Sequence, residues 1–160
     1  MIVIVTGTPG TGKTTVSKKL AKSLHCRYLD VKKILKKYSL NKEYDSKRKC
    51  FVISIPKLKK VLIKEISKSK NLIIDSHLSH YLPKKYVDLC IVTKTDLKQL
   101  KNRLKKRKYS SEKIIENLDA EIFDICLNEA KERNHNPIII NTTKKPNLAK
   151  LISKIKNKER

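Results

Sequence analysis

Aromatic side chains are scarce in this sequence, 5% of residues with no tryptophan. That is too few for the stacking platforms on which RNA-recognition domains hold splayed bases. Cysteine is sparse as well. Cys26, Cys50, Cys90 and Cys126 stand far apart with no C-x-x-C pair, a spacing poor for zinc and read as reduced thiols in a cytosol. No apolar run approaches the roughly 20 residues of a membrane helix. The apolar start "MIVIVTGTPG" lacks the positive leader of a signal peptide and reads as a strand that begins at once. The expectation is a cytoplasmic protein with no membrane association.

Acidic residues are also few. Fifteen Asp and Glu face 39 Lys and Arg, a formal charge of +24. A surface this basic attracts polyanions such as nucleotides, RNA or ribosomes. The competing reading is compositional, because lysine is spread along every helical segment. With 39% hydrophobic and 34% charged residues in 160, the chain has the composition of a globular protein of about one domain.

Apolar runs of strand length alternate with segments of helical period. "IVIVT" (Ile2–Thr6) is a continuous β-branched run, the pattern of a buried parallel strand. Residues 12–24 place Val16, Leu20, Ala21 and Leu24 on one helix face. A short strand follows at Arg27–Asp30 and a short helix at Val31–Tyr38. Ser39–Cys50 has no apolar period and reads as a mobile loop, and Phe51–Ile55 is ambiguous. Pro56 opens a helix to Lys68. Strands are expected at Asn71–Asp75, Val87–Thr93 and Pro137–Asn141. Helices are expected at Thr95–Arg107, with Thr95 as cap, at Ser110–Arg133 and at Lys145–Lys158. Strands separated by helices predict an α/β fold, a five-stranded parallel sheet with helices on both faces. Its ligands bind beyond the carboxyl ends of the strands. One domain over residues 1–160 is expected.

Gly7-Thr8-Pro9-Gly10-Thr11-Gly12-Lys13-Thr14 matches G-x-x-x-x-G-K-[ST] in full, after a buried strand and opening a helix. This is the P-loop NTPase signature. Its N–H groups and helix N-terminus offer positive charge to phosphate. Lys13 is placed to reach the β- and γ-phosphates of ATP and Thr14 to ligate Mg²⁺. A neighbouring strand in such a sheet carries an acid near the magnesium, and "LIID" supplies Asp75. His77, two residues on, then lies near the transferring phosphate. Its role as a base or as an orienting group stays open. His80 carries less weight, and His25 and His135 carry no signal. "TKTD" (Thr93–Asp96) departs from the N-K-x-D guanine motif, which disfavours a GTPase. Arg103 and Arg107, four apart on one helix face, are candidates to clamp phosphates.

These parts together resemble the adenylate kinase isoenzyme 6 family. The resembling stretches are "TGTPGTGKTT" (Thr6–Thr15), "EYDSKRKCFVI" (Glu43–Ile53), "IIDSH" (Ile73–His77) and "RLKKRKYSSEKIIENLDAEIFDI" (Arg103–Ile125). The resemblance implies phosphoryl transfer from ATP to AMP or another nucleoside monophosphate, with an ATPase side activity. It further implies a role in maturing the small ribosomal subunit, with a platform ribosomal protein and rRNA as partners. By position, Gly10, Gly12, Lys13, Thr14 and Thr15 would bind ATP phosphates and Mg²⁺, and Arg107 would reach ATP from the lid. Asp75 and His77 would form the magnesium-linked and catalytic pair. The acceptor-binding segment falls at about 30–53 and the lid at about 106–116. Three departures stand out: Lys108 replaces the family's glycine after the lid arginine, Lys36 replaces an acceptor-side arginine, and Ser54 and Pro56 stand where relatives often carry acids. Lysine cannot make arginine's two-pronged bond to phosphate. A different class is also open, a ribosome-assembly ATPase switch with incidental kinase activity.

Overall fold

The computed structural model describes residues 1–40, 43–46 and 50–158. Five parallel strands form one sheet: β1 (Ile2–Thr6), β2 (Arg27–Asp30), β5 (Leu72–Asp75), β6 (Leu89–Lys94) and β7 (Ile138–Asn141), in the order β2-β5-β1-β6-β7. Two further strands, β3 (Glu43–Asp45) and β4 (Cys50–Val52), pair antiparallel as a separate hairpin. The helices are α1 (Lys13–Ser23), α2 (Val31–Lys37), α3 (Ile55–Ser67), α4 (Leu97–Lys106), α5 (Ser111–Ile122), α6 (Ile125–Glu132) and α7 (Ala149–Lys158).

The central position of β1 explains why all five of its residues are buried. Its alternation sorts the core into two layers. Ile2 and Ile4 join Leu29, Leu58, Leu62 and Leu127 on one face, and Val3 and Val5 join Val16, Leu20, Leu148 and Ile155 on the other. Each such side chain contributes about 1.5–3 kcal/mol when fully buried. A third cluster, Leu100, Leu104 and Ile114, ties α4 to α5 beside the sheet. Because the strands are parallel, their carboxyl ends share one edge. Register sets Asp75 beside Val5 on one side and beside Asp30 on the other, so the acid arrives next to the loop that leaves β1.

Three expectations are corrected. The stretch read as a loop at 39–50 holds strand β3 and the start of β4, which pair with each other rather than with the main sheet. Residues 41, 42 and 47–49 of that reading lie outside the described residues. The long helix expected at 110–133 is broken at Asp124, whose φ of 54° ends α5 and starts α6. Helix α4 is capped by the Asp96 carboxylate on the Gln99 N–H, not by Thr95.

Four helices end in the same device. After α1, α2, α4 and α6 the chain turns through a left-handed residue: His25, Ser39, Lys108 and Asn134, with φ between 50° and 60°. In each, the following N–H bonds back into the last turn, as Cys26 to Ala21, Leu40 to Leu35, Tyr109 to Leu104 and His135 to Ala130. Glycine is the usual occupant of this position because it has no Cβ to clash. Here none of the four is glycine.

Glu65 on α3 joins three elements. Its buried carboxylate accepts from Arg27 on β2 at 3.2 Å, from the Tyr38 hydroxyl at 3.1 Å and from Lys68 at 2.7 Å. The Lys68 bond, helped by Tyr38 and Arg27, overcomes desolvation and holds the carboxyl down at about 2. A carboxyl depressed in the fold stabilises fully above its unfolded pKa and loses that contribution as pH falls through the folded value. Arg27 and Lys68 are 41% and 45% exposed, so solvent screens part of the gain and about 2 kcal/mol remains. Glu65→Gln is therefore expected to cost about that much at pH 7 and little near pH 2. Urea melts of both proteins across that range check the sign. Equal losses at both ends would refute it.

Candidate active site

All three glycines of the chain, Gly7, Gly10 and Gly12, lie in the loop between β1 and α1, and all three have positive φ. At Gly7 a Cβ would sit 2.5 Å from the Thr93 carbonyl oxygen, so the loop can run against β6 only without a side chain. Gly12 at φ 83° precedes Lys13 and aims the first turn of α1 at the loop's hollow. Hydroxyls fasten the loop from behind. Thr11 donates to the Thr8 carbonyl at 2.8 Å and pairs with Thr93 at 2.7 Å, and Thr142 donates to the Thr11 carbonyl at 2.7 Å.

The Lys13 ammonium donates to the carbonyls of Gly7 and Thr8 at 2.7 and 2.9 Å. Drawn inside the loop, it is desolvated. Burial, with repulsion from Arg107 and Lys32 added, outweighs Asp75 and lowers its pKa to about 8. The Thr14 hydroxyl, one residue on, donates to Asp75 Oδ2 at 2.7 Å. Tyr28 on β2 donates to the same oxygen at 2.8 Å. The Asp75 carboxylate beside it raises the Tyr28 pKa, after burial as the leading cause. Lys13, Thr14 and Asp75 thus meet at the sheet edge where the sequence places them, with Tyr28 as a partner that sequence reasoning missed.

His77 and His80 have opposite surroundings. His77 is exposed at its surface and makes no hydrogen bond to a described residue. Desolvation, then the Lys13 charge, lowers its pKa to about 4. His80 is buried. Its Nδ1 accepts from the Thr6 hydroxyl at 2.8 Å and its Nε2–H donates to Glu129 at 2.8 Å. Tyr81 donates to the other Glu129 oxygen at 3.0 Å, and the Arg133 guanidinium lies over the Tyr81 ring. Burial lowers the His80 pKa despite Glu129, which fits the neutral tautomer this network needs. His80 is thus a satisfied core histidine under the start of the loop. His135 is buried too, its Nε2–H shared between the carbonyls of His80 and Leu82, while its Nδ1 has no hydrogen-bond partner among the described residues.

A cleft of about 490 Å³ opens on the outer side of the loop, lined by Gly12, Thr15, Lys106, Arg107, Thr143 and Lys145 among others. Arg107 caps α4 and its side chain is exposed. Arg103 behaves differently. Its guanidinium donates to the Thr142 carbonyl at 2.6 Å and, at 3.4 Å, to that of Gly10, so it ties the loop to the end of β7 rather than standing free for phosphate. The turn that follows β7 was not anticipated as part of the site. Its residues carry no motif, and only the parallel pairing of β6 with β7 brings them here. Of the other departures, Lys36 is exposed on α2 and Lys108 adopts a left-handed conformation, φ 57°, of the kind glycine favours.

Two oxygen donors, a hydroxyl and a carboxylate 2.7 Å apart, suit a hard cation that keeps waters and takes its remaining ligands from phosphate. Among the described residues no group of three or more His, Cys, Asp or Glu is placed to hold a metal. No described helix is long and apolar enough to cross a membrane.

A strand, a glycine loop and a helix at the centre of a five-stranded parallel sheet, with an acid on the adjoining strand, define a P-loop α/β protein of the kinase-like class. Solved structures agree on the fold. A shikimate kinase from Acinetobacter baumannii superposes with TM-score 0.62 over 98% of this chain and 90% of that one, at 18% identity. A deoxyadenosine kinase from M. mycoides does so with TM-score 0.57 over 99% and 98%, also at 18%. A family model described as an AAA domain matches residues 3–124. The chain is 37% identical to a "Putative adenylate kinase" of Methanocaldococcus jannaschii over 99% of this chain and 88% of that one. It is 41% identical to a protein of the same name from Pyrococcus furiosus over 91% and 77%. It is 33% identical to the "Adenylate kinase isoenzyme 6 homolog" of Dictyostelium discoideum over 86% and 78%. The chain belongs to the adenylate kinase isoenzyme 6 family.

Proposed function

We propose that this protein transfers the γ-phosphoryl group of ATP to AMP or a similar nucleoside monophosphate, with a slower hydrolysis of ATP alongside. The observation that carries the reading is the Thr14–Asp75 pair, 2.7 Å apart and beside Lys13, at the mouth of a loop built from the chain's only glycines. Loop N–H groups and the start of α1 receive the phosphates of ATP. Lys13 leaves the Gly7 and Thr8 carbonyls for the β- and γ-phosphate oxygens and offsets the charge that spreads in the transition state. Thr14 and Asp75 would hold Mg²⁺, which would supply charge neutralisation for the phosphates when bound. Tyr28 keeps the Asp75 carboxylate turned toward Thr14. Arg107 closes on the nucleotide from the end of α4, and the segment at 30–53 receives the acceptor. Closure excludes water, so that the phosphoryl group reaches the acceptor.

His77 with a pKa near 4 is neutral at pH 7 and too weak a base to draw a proton efficiently there. Orientation of the acceptor or of a phosphate oxygen by hydrogen bonding is the role its chemistry supports. The test is ADP formation from ATP and Mg²⁺, with and without AMP, for the wild type and His77→Ala. AMP is expected to stimulate turnover, with ADP arising from both nucleotides, and His77→Ala to lose roughly 10²-fold through lost orientation. The His77-dependent part of the rate is expected to stay flat from pH 6 to 8. If AMP has no effect while slow phosphate release persists, the acceptor reading fails.

That outcome would favour the second reading, an ATPase switch acting in small-subunit assembly with rRNA and a platform ribosomal protein as partners. The charge of +24 supports it, since a polyanion would bind the lysine-rich faces of α4 and α7.

A further inference from the structure

Nothing in the proposed chemistry uses Glu121, although it is among the few buried acids of the chain, 6% exposed. It projects from the last turn of α5. One carboxylate oxygen accepts from the Thr8 hydroxyl of the loop at 2.7 Å, and the other accepts from the Thr95 N–H, where β6 passes to α4, at 3.0 Å. Thr8 is itself 2% exposed, and its carbonyl receives the Lys13 ammonium, the Thr11 hydroxyl and the Thr11 N–H. The side chain of Thr8 is thus held by Glu121 while its backbone holds Lys13.

Helix α5 begins at Ser111, inside the segment at about 106–116 read as the lid, and its last turn holds Glu121 and Ile122. Its last turn is therefore bolted to the phosphate loop. The left-handed Asp124 immediately after, paired with Lys94 of β6, fixes the same junction to the sheet. A carboxylate between two donors is a charge-assisted clamp, stronger than neutral pairs. If either donor were removed, the buried charge would be left short of a partner.

We propose that Glu121 is a positioning residue, which acts through Thr8 to hold the phosphate loop and Lys13 in the geometry that receives ATP, and makes the lid helix and the loop one rigid unit. This inference deepens the functional reading above and rests on its ATP site, but not on its acceptor.

The test measures binding of Mg·ATP without any acceptor, by titration of a fluorescent ATP analogue. The variants are Glu121→Ala, Glu121→Gln, Thr8→Val, Thr8→Ser and the double Glu121→Ala/Thr8→Val, with thermal melts of each. Glu121→Ala and Thr8→Val are each expected to weaken binding about tenfold, the scale of a misplaced binding group. The double variant is expected to be no weaker than the worse single, because both remove one link. Thr8→Ser, which keeps the hydroxyl, is expected to restore binding. Additive losses in the double variant would overturn the proposal, as would wild-type binding in Thr8→Val. If Glu121→Ala does not fold, the Thr8 pair and Glu121→Gln decide the matter. Thr8→Val keeps the shape of the side chain, so its loss of binding, with rescue by serine, marks positioning. A wild type that binds Mg·ATP but ignores AMP would refute the kinase reading and leave this inference standing.

Discussion

Lys13→Met is expected to abolish most phosphoryl transfer, by on the order of 10³-fold in kcat, while the protein stays folded and is at least as stable at pH 7. The two halves of that expectation come from one fact. In the free protein the ammonium sits inside the loop, where burial lowers its pKa to about 8. A lysine whose pKa is lowered on folding is bound more tightly by protons in the unfolded chain. Stability therefore rises with pH between the folded value and the unfolded value near 10.4. At pH 7 the charged ammonium is a cost to folding, and methionine removes it while filling similar space. When phosphate oxygens arrive, the same ammonium gains partners and its pKa rises. Above pH 8, binding of Mg·ATP must then take up a proton. Calorimetry at pH 8.5 in buffers of different ionisation heat is expected to show uptake of more than about half a proton by the wild type and none through this site in Lys13→Met. Equal uptake in both would disprove the assignment, and so would a variant that keeps its rate.

Asp75→Asn comes second in size. Asparagine preserves the shape and can still accept from one hydroxyl, but Thr14 and Tyr28 both donate to a single carboxylate oxygen, at 2.7 and 2.8 Å. The amide removes the charge that makes those bonds strong and the hard ligand that a magnesium ion prefers. Turnover is expected to fall roughly 10²-fold and the magnesium needed for half-maximal rate to rise at least about tenfold. A magnesium titration of initial rates reads both. The companion Tyr28→Phe, which removes only the hydroxyl, gives a smaller shift in the same direction. An unchanged magnesium requirement in Asp75→Asn would remove this residue from the metal-holding role.

The parts of the fold written in local pattern were legible before any coordinates. The β-branched run at Ile2–Thr6, the LIID strand and the G-x-x-x-x-G-K-T loop each carry their signal within a few residues, and each stands where expected. What escaped was set by contacts distant in sequence. The hairpin of β3 and β4 has only three residues per strand, too few for a period to register. The break at Asp124 has neither glycine nor proline to announce it. Tyr28, Glu121 and Thr142 lie 47, 113 and 131 residues from the partners that define them. Glu121 did leave a trace, since it falls in the stretch that carries the family resemblance, but nothing local said that it faces the loop. Of the four histidines, His80 and His135 are buried against the core.

The shortage of glycine outside the phosphate loop has a consequence for motion. A residue with a Cβ in the left-handed conformation costs about 1–2 kcal/mol relative to glycine, and five described residues at helix ends bear this cost. Hydrogen exchange samples such places first, because local opening there relieves strain while the sheet stays closed. One of the five, Lys108, sits in the turn between α4 and α5. Its amide and that of Tyr109, bonded back to Lys105 and Leu104, belong to a segment that opens at low cost. The far end of α5 carries a left-handed residue too, Asp124, but there the Glu121 clamp and the pairing of Asp124 with Lys94 oppose opening. Within the lid, opening is thereby expected at its tip rather than at its root.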